Sequence, residues 1–368
     1  MTPIAIGIIG CGNISRTYLE NLGSKFPAVR VKACADLVEE RARKSAEAFP
    51  GVQAMTIAEL LADREIGVVV NLTIPAVHYA VARQVLEAGK HVYSEKPLAV
   101  AREDGRELLA FATSLGLRVG CAPDTFLGGA LQTCRKLIDE GAIGTPVACA
   151  GFMMSGGPES WHPDPEFFYK RGAGPLFDMG PYYLTAMVSL LGPVKRVTAS
   201  TRISFAERVI GSEAKRGQKI QVETPTHVAG SLEFGSGAIG TLIMSFDIRG
   251  GSGLRHIEIQ GSEGTLSVPD PNNFGDPVRI RRIGAKEWEP VTLTHGYQTN
   301  WRGLGTADMA VAAQAKRAHR ASGEQAFHVL DVMASLLDAG EAGRHVALSS
   351  TCARPAPLPV GLADGQLD

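Results

Sequence analysis

Gly10-Cys11-Gly12-Asn13-Ile14-Ser15 follows one short apolar run directly and opens an amphipathic one. At that spacing the first glycine permits a tight turn, and the second lets the backbone approach a pyrophosphate. The phosphates would rest on the N-terminus of the next helix, at Asn13 and Ile14, where free N–H groups and the macrodipole favour negative charge. Ser15 at the third position is still small enough for close helix–strand packing. Asp36 ends the next apolar run, about 20 residues on. A carboxylate there accepts hydrogen bonds from the adenosine ribose and repels a 2′-phosphate, so the pair predicts NAD rather than NADP. Two later runs end in unusual residues: Asn71-Leu72-Thr73-Ile74-Pro75 with His78 beyond, and Glu95-Lys96-Pro97. Ligands of doubly wound sheets bind outside the carboxyl ends of the strands, which makes Thr73, Pro75, His78, Glu95 and Lys96 candidates for the nicotinamide end. A lysine there could stabilise the alkoxide formed as hydride leaves carbon. Read alone, Glu95-Lys96 could equally be a surface ion pair of little consequence.

The elements that must position these residues are visible in the periodicity. Ile4–Ile9, Val29–Ala35, 67–72, His91–Ser94 and 118–122 read as strands, and 14–25, 39–49, 58–62, 77–88 and 103–115 carry helical spacing. Strands apolar nearly throughout, alternating with helices, predict a doubly wound α/β domain over 1–122. After Ala122 the pattern changes. A helix at 130–139 leads to a strand at 147–153, an aromatic and proline-rich loop at 156–174, and an apolar helix reaching Leu191. From 194 to 293 the chain reads as a meander, with 228–234 and 238–246 flanking a Gly235-Ser236-Gly237 turn and 257–260 and 265–268 forming a second hairpin. Helices at 305–321 and 325–339 follow. Together these predict an α+β domain over 123–353 with a large, mostly antiparallel open sheet, and an extended, proline-rich tail over 354–368.

Bulk properties narrow the partners. The 368 residues suit two cores, with 45% apolar and 20% charged residues. Lys plus Arg total 37 against 38 Asp plus Glu, a net charge of −1, which leaves no basic stripe for nucleic acid. No stretch reaches the roughly 18 apolar residues of a membrane helix, and Met1-Thr2-Pro3 enters its apolar run without a basic leader. Cys11, Cys34, Cys121, Cys134, Cys149 and Cys352 show neither C-x-x-C pairs nor ligand spacing with histidine. They read as small buried hydrophobes in a reducing compartment, so the expectation is a cytoplasmic protein without a metal.

Gly89-Lys90-His91-Val92-Tyr93-Ser94-Glu95-Lys96-Pro97-Leu98-Ala99 resembles the E-K-P segment of the glucose–fructose oxidoreductase / inositol dehydrogenase / MocA family. Thr73 to His78 is similar to that family's T-P-x-x-x-H loop, with Ile74 in place of its first proline. Segments 136–144 and 327–331 resemble the entry and closing helix of its second domain. The likeness runs from about residue 4 to about 348. Its second active-site segment, G-G-G-x-x-x-D-x-G-x-H-x-x-D, falls at 172–185: Asp178 and Gly180 match, while Tyr182 replaces the histidine and Thr185 the second aspartate. An arginine common near the start of the second domain is missing around Pro123-Asp124-Thr125-Phe126, which implies different substrate contacts.

The resemblance implies that Lys96, Asp178 and Tyr182 are the catalytic group. Asp178 and Tyr182 are four apart and share a helical face, unless Pro181 starts the helix. A phenol near pKa 10 is a poor base at neutrality. An ammonium about 4 Å away at an effective dielectric near 20 supplies on the order of 4 kcal/mol. Lowering the pKa by two units takes about 2.7 kcal/mol, so Lys96 is expected to bring Tyr182 into range, with Asp178 orienting Lys96 or the substrate. Asp124, Trp161 and His162 complete the candidate substrate contacts; His162 could equally be a packed loop residue. The implied activity is hydride transfer between NAD and a secondary alcohol of a sugar, glycoside or cyclic polyol, by a homodimer or homotetramer. Two other readings stay open: a glycoside-cleaving or sugar-exchange enzyme that recycles tightly bound NAD, and a non-catalytic dinucleotide sensor.

Overall fold

A computed structural model describes residues 3–368; Met1 and Thr2, the head of the expected leaderless start, lie outside them. The first half alternates β1 (Ile4–Ile9), α1 (Ser15–Ser24), β2 (Val29–Ala35), α2 (Glu39–Ala48), β3 (Gln53–Ala54), α3 (Ile57–Ala62), β4 (Ile66–Asn71), α4 (His78–Glu87), β5 (His91–Ser94), α5 (Arg102–Ser114) and β6 (Val119–Cys121). These six strands form one parallel sheet in the order β3-β2-β1-β4-β5-β6. Ile6, Ile8, Ile9, Val69, Val70 and Val92 are buried along it, because helices cover both faces and leave no wet side for polar residues. The strand that the sequence does not announce is β3. It is two exposed residues at the edge, too short to show a period.

The second half runs α6 (Gly129–Asp139), β7 (Pro146–Met154), α7 (Gly174–Leu191), β8 (Val194–Arg202), β9 (Glu207–Val209), β10 (Lys219–Gln221), β11 (His227–Phe234) and β12 (Ile239–Ser245). It continues through β13 (Ile257–Gly261), β14 (Gly264–Val268), β15 (Val278–Arg282), β16 (Glu289–Val291), α8 (Leu304–Gln314), α9 (Gly323–Ala342) and β17 (Val346–Ala347). Nine strands make a mixed sheet, β16-β15-β14-β13-β7-β12-β11-β8-β17, and β9 and β10 form a separate ribbon. All neighbours in the large sheet are antiparallel except β7 and β12. The expected meander is therefore interrupted at its centre by the strand that enters first. α7 covers one face: a Cβ on Gly151 of β7 would overlap the Met187 methyl group and meet Tyr183 at 3.5 Å. Alternate residues Ala148, Ala150, Phe152 and Met154 point to the other face and stay partly exposed.

One helix resolves an alternative the sequence left open, and another ends earlier than its pattern suggests. α7 begins at Gly174 and carries Pro181 inside, so Asp178 and Tyr182 do lie on one helix. α8 stops at Gln314 rather than 321. Buried Asp308 in that helix accepts from the Arg320 N–H at 2.7 Å and pairs with the Arg317 and Arg320 guanidinium groups, which turns the chain back. Lys316 takes a positive φ of 56° in the reversal. The tail has no regular structure but is a docked strap: Leu358 is buried, its N–H donates to Gln132 Oε1, and Asp368 pairs with Arg320. The six cysteines are unpaired, four of them buried. No helix is long and apolar enough to cross a membrane.

Candidate active site

The dinucleotide loop is shaped by two glycines with opposite surroundings. Gly10 adopts φ +101°, and a Cβ there would stand 2.7 Å from the Leu72 carbonyl carbon and 2.8 Å from its oxygen, so β4 presses directly on the turn. A Cβ on Gly12 would meet nothing within 4 Å; the space beside that backbone is open. α1 starts beyond it with no side-chain cap and no acidic residue in its first turn. Ser15 donates to the Gly12 carbonyl at 2.6 Å, and Asn13 and Ile14 stand at the helix start, where N–H groups have no intrahelical partner. This is the shape and polarity a pyrophosphate requires. Asp36 is fixed by two backbone donors, Cys11 N at 2.7 Å and Val38 N at 2.8 Å. These residues fit a dinucleotide.

The loops after β4 and β5 are tied together. His78 is fully buried, its Nδ1 2.7 Å from the Pro97 carbonyl and its Nε2 2.9 Å from the Thr73 carbonyl. Its ring therefore braces the loop that carries Pro75 against the one that carries Lys96 and has no atom left for the cofactor, correcting its assignment as a direct contact. The Thr73 hydroxyl donates to Asn71 Oδ1 at 2.6 Å. Glu95 turns beneath α1, where Oε1 accepts from the Tyr18 hydroxyl at 2.8 Å and Oε2 from the Lys96 N–H at 3.1 Å.

Lys96 crosses to α7. Its Nζ donates to Asp178 Oδ1 at 2.9 Å and to the Asp178 carbonyl at 2.6 Å. Pro181 has no N–H, so the Phe177 carbonyl, next to Asp178, lacks its intrahelical donor. The same ammonium lies over the Tyr182 ring, 5.1 Å from its centroid. Burial opposes the Lys96 charge, but Asp178, Tyr182 and Glu95 outweigh it and hold the amine above its ordinary pKa. The raised pKa favours the ammonium form of Lys96.

Tyr182 moves opposite to expectation. Burial pushes the phenol up and outweighs the downward pull of Lys96 and Arg302. The ammonium faces the ring and is already engaged by Asp178, so it offsets too little of the desolvation of a phenolate. Arg302, between β16 and α8, is the residue the sequence did not single out. Burial works against its charge, yet Tyr182 and Asp124 hold the guanidinium above its usual value. Asn272 anchors it with its carbonyl at 3.0 Å and its side-chain oxygen at 2.6 Å. No periodicity of the sequence marks Arg302.

Asp124 is not a substrate contact. It is buried, and Oδ2 accepts from the Gly303 and Gly305 N–H groups at 2.8 and 3.0 Å, closing the N-terminus of α8. Burial pushes its pKa up to about 6, against the lowering effect of those donors and Arg302. Trp161 is exposed, and His162 lies edge-on to Trp161, Phe167 and Phe168 with Nδ1 accepting from the Asp164 N–H. Among the described residues no hydrogen bond or ion pair joins His162 to Lys96, Asp178 or Tyr182. No group of three or more metal-ligating side chains occurs among them either.

A doubly wound sheet with an open glycine loop, and a buried ammonium at the carboxyl end of the next strands, defines a dinucleotide-binding oxidoreductase. The family descriptions agree: "Oxidoreductase family, NAD-binding Rossmann fold" matches residues 4–122, and "GFO/IDH/MocA C-terminal domain" matches 131–267. The chain belongs to the Gfo/Idh/MocA family. An uncharacterised oxidoreductase of Schizosaccharomyces pombe is 31% identical over 212 residues, 54% of this chain and 55% of that protein. The chain spans between 54% and 60% of the length of the first three curated relatives. A dTDP-3,4-didehydro-2,6-dideoxy-alpha-D-glucose 3-reductase of Streptomyces violaceoruber is 28% identical, covering 87% of this chain and 88% of its own. Levoglucosan dehydrogenase of Pseudarthrobacter phenanthrenivorans is 26% identical, covering 72% and 73%. The fold is also that of a solved levoglucosan dehydrogenase in complex with NADH, at TM-score 0.79, 21% identity and coverage of 95% and 100%.

Proposed function

We propose that the protein is an NAD(H)-dependent oxidoreductase that moves hydride between nicotinamide and a ring carbon of a pyranose, glycoside or cyclic polyol. The observation that carries this is the Lys96 ammonium, fixed by Asp178 against the face of Tyr182 at the strand ends where nicotinamide belongs. Bound nicotinamide supplies or takes the hydride. Lys96 stabilises negative charge on the oxygen of the reacting carbon, and Asp178 sets its direction. Tyr182 keeps its proton through neutrality and donates it to a ketone oxygen in reduction; in oxidation it accepts that proton at higher pH. Arg302 pulls the phenol pKa downward beside Lys96, and Trp161 offers an exposed ring to a sugar face. Relatives that reduce a keto-sugar nucleotide or oxidise levoglucosan support the substrate class.

Asp36 favours NAD over NADP, since its fixed carboxylate would face a 2′-phosphate and the next residue is the exposed Leu37. The partly exposed face of Ala148, Phe152, Met154 and Ile243 is proposed to bury against a second copy in a homodimer or homotetramer, and the unpaired cysteines suit the cytoplasm. Nicotinamide absorbance tests the activity, with NAD or NADP and a panel of pyranoses, glycosides and inositols. Turnover of one sugar class with preference for NAD is expected; no turnover in either direction overturns the reading.

A further inference from the structure

A cavity opens at the amino end of β6, the strand next to β5, whereas Lys96 lies beyond the carboxyl end of β5. The cavity has a volume of about 870 Å³ and opens between the end of α5, the start of β6, the reversal after α8 and the tail at 351–356. Lys96 follows the carboxyl end of β5, whereas Arg118 precedes the amino end of β6. The two sites therefore lie at opposite ends of the adjacent parallel strands β5 and β6.

Its lining is cationic. Arg317 and Arg320 are answered by Asp308 and Asp368, and Arg354 by Asp139. Arg118 and Lys316 have no carboxylate partner among the described residues. Arg118 gives one N–H to the Arg317 carbonyl at 2.7 Å and lies 3.4 Å from His319 Nδ1, while His319 Nε2 is 3.0 Å from the Val119 carbonyl. Lys316 stands at the rim in a left-handed conformation that a lysine rarely adopts. The one carboxylate on the lining, Glu324, is exposed.

Two further features converge there. α9, 20 residues long, begins at the cavity, capped only by the Ser322 hydroxyl on the Gln325 N–H at 3.2 Å. Gln325 itself is 3% exposed, and its Nε2 has no hydrogen-bond partner. A buried amide donor left unmatched beside an unanswered guanidinium indicates a missing acceptor. A helix end, an amide, a guanidinium and an ammonium on one lining suit a tetrahedral oxyanion better than a planar carboxylate. Beyond it, Leu109 and Leu117 provide an apolar wall for the rest of a molecule.

We propose that this cavity binds a small phosphate monoester, with the phosphoryl group held by Arg118, Lys316 and Gln325 at the α9 N-terminus. The site is independent of the hydride-transfer reading. Titration calorimetry tests it on full-length protein saturated with NADH, so that the dinucleotide loop is already filled. Inorganic phosphate, glucose 6-phosphate and adenosine monophosphate are the probes. At least one monoester should bind saturably and more tightly than phosphate. Arg118→Ala, Gln325→Leu and Lys316→Ala should each weaken it by about tenfold without changing NADH affinity. Lys316 is exposed, so its variant keeps the test valid if a buried substitution fails to fold. No saturable binding up to about 10 mM, or binding that Arg118→Ala and Lys316→Ala leave unchanged, overturns the proposal.

Discussion

Lys96 Nζ donates to both the side chain and the main chain of Asp178, at 2.9 and 2.6 Å, across a gap of 82 residues in sequence. One ammonium therefore joins the dinucleotide sheet to the helix carrying Tyr182. Lys96→Ala should lower turnover by about 10²–10³-fold while NADH affinity changes little, since the lysine acts on the reacting oxygen rather than the pyrophosphate. Asp178→Asn should cost less, about tenfold, because the carbonyl still holds Nζ. Steady-state kinetics with parallel NADH titration separates the two effects.

Tyr182 keeps its proton at neutrality because burial raises its pKa beyond what Lys96 and Arg302 offset. Below a phenol pKa the reactive phenolate grows tenfold per pH unit, so kcat/KM for oxidation should climb with unit slope from about pH 7 to 9. Reduction, which uses the protonated form, should be flat over the same range. Tyr182→Phe should abolish the slope and lower both rates.

Gly10 and Gly12 should fail in different ways. Gly10→Ala combines a positive φ with a clash on Leu72 and should destabilise by about 3 kcal/mol in denaturant melts. Gly12→Ala meets open space and should stay within about 0.5 kcal/mol of wild type. It should nevertheless lose NADH affinity by about tenfold or more, because the methyl occupies the volume a pyrophosphate needs.

Asp124 links stability to pH with an unusual sign. Its folded pKa of about 6 lies above its ordinary value, so between about pH 4 and 6 the folded state binds the extra proton. Its contribution is therefore fully present below about pH 4 and lost as pH rises through 6. Two units correspond to a change on the order of 3 kcal/mol. Asp124→Asn keeps an acceptor for Gly303 and Gly305 and should remove that slope, as read from the difference between wild-type and variant melts across the range.

The parallel sheet was legible because buried strands are continuous apolar runs, and the glycine loop because its geometry is local to Gly10–Ser15. Lys96, Asp178 and Tyr182 came together through resemblance to a family, since no spacing relates residues 96 and 178. The direction of the Tyr182 shift depends on how deeply the ring is buried, which the sequence does not state. Asp124 read as a candidate substrate contact, whereas the chain brings it to Gly303, 179 residues away. Arg302 lies in an irregular segment where no period exists to read. The early stop of α8 follows from buried Asp308 and its arginines, while an alanine-rich run contains no local stop signal.

The most direct measurement is a single turnover: enzyme loaded with one equivalent of NADH, mixed with keto-pyranosides, and followed by nicotinamide absorbance. Wild type should oxidise its NADH with at least one ketone, and the Lys96→Ala enzyme, loaded equally, should leave it reduced on that timescale. Loss of NADH at the same rate in both proteins, or in neither with any ketone, would contradict hydride transfer to a sugar carbon assisted by Lys96.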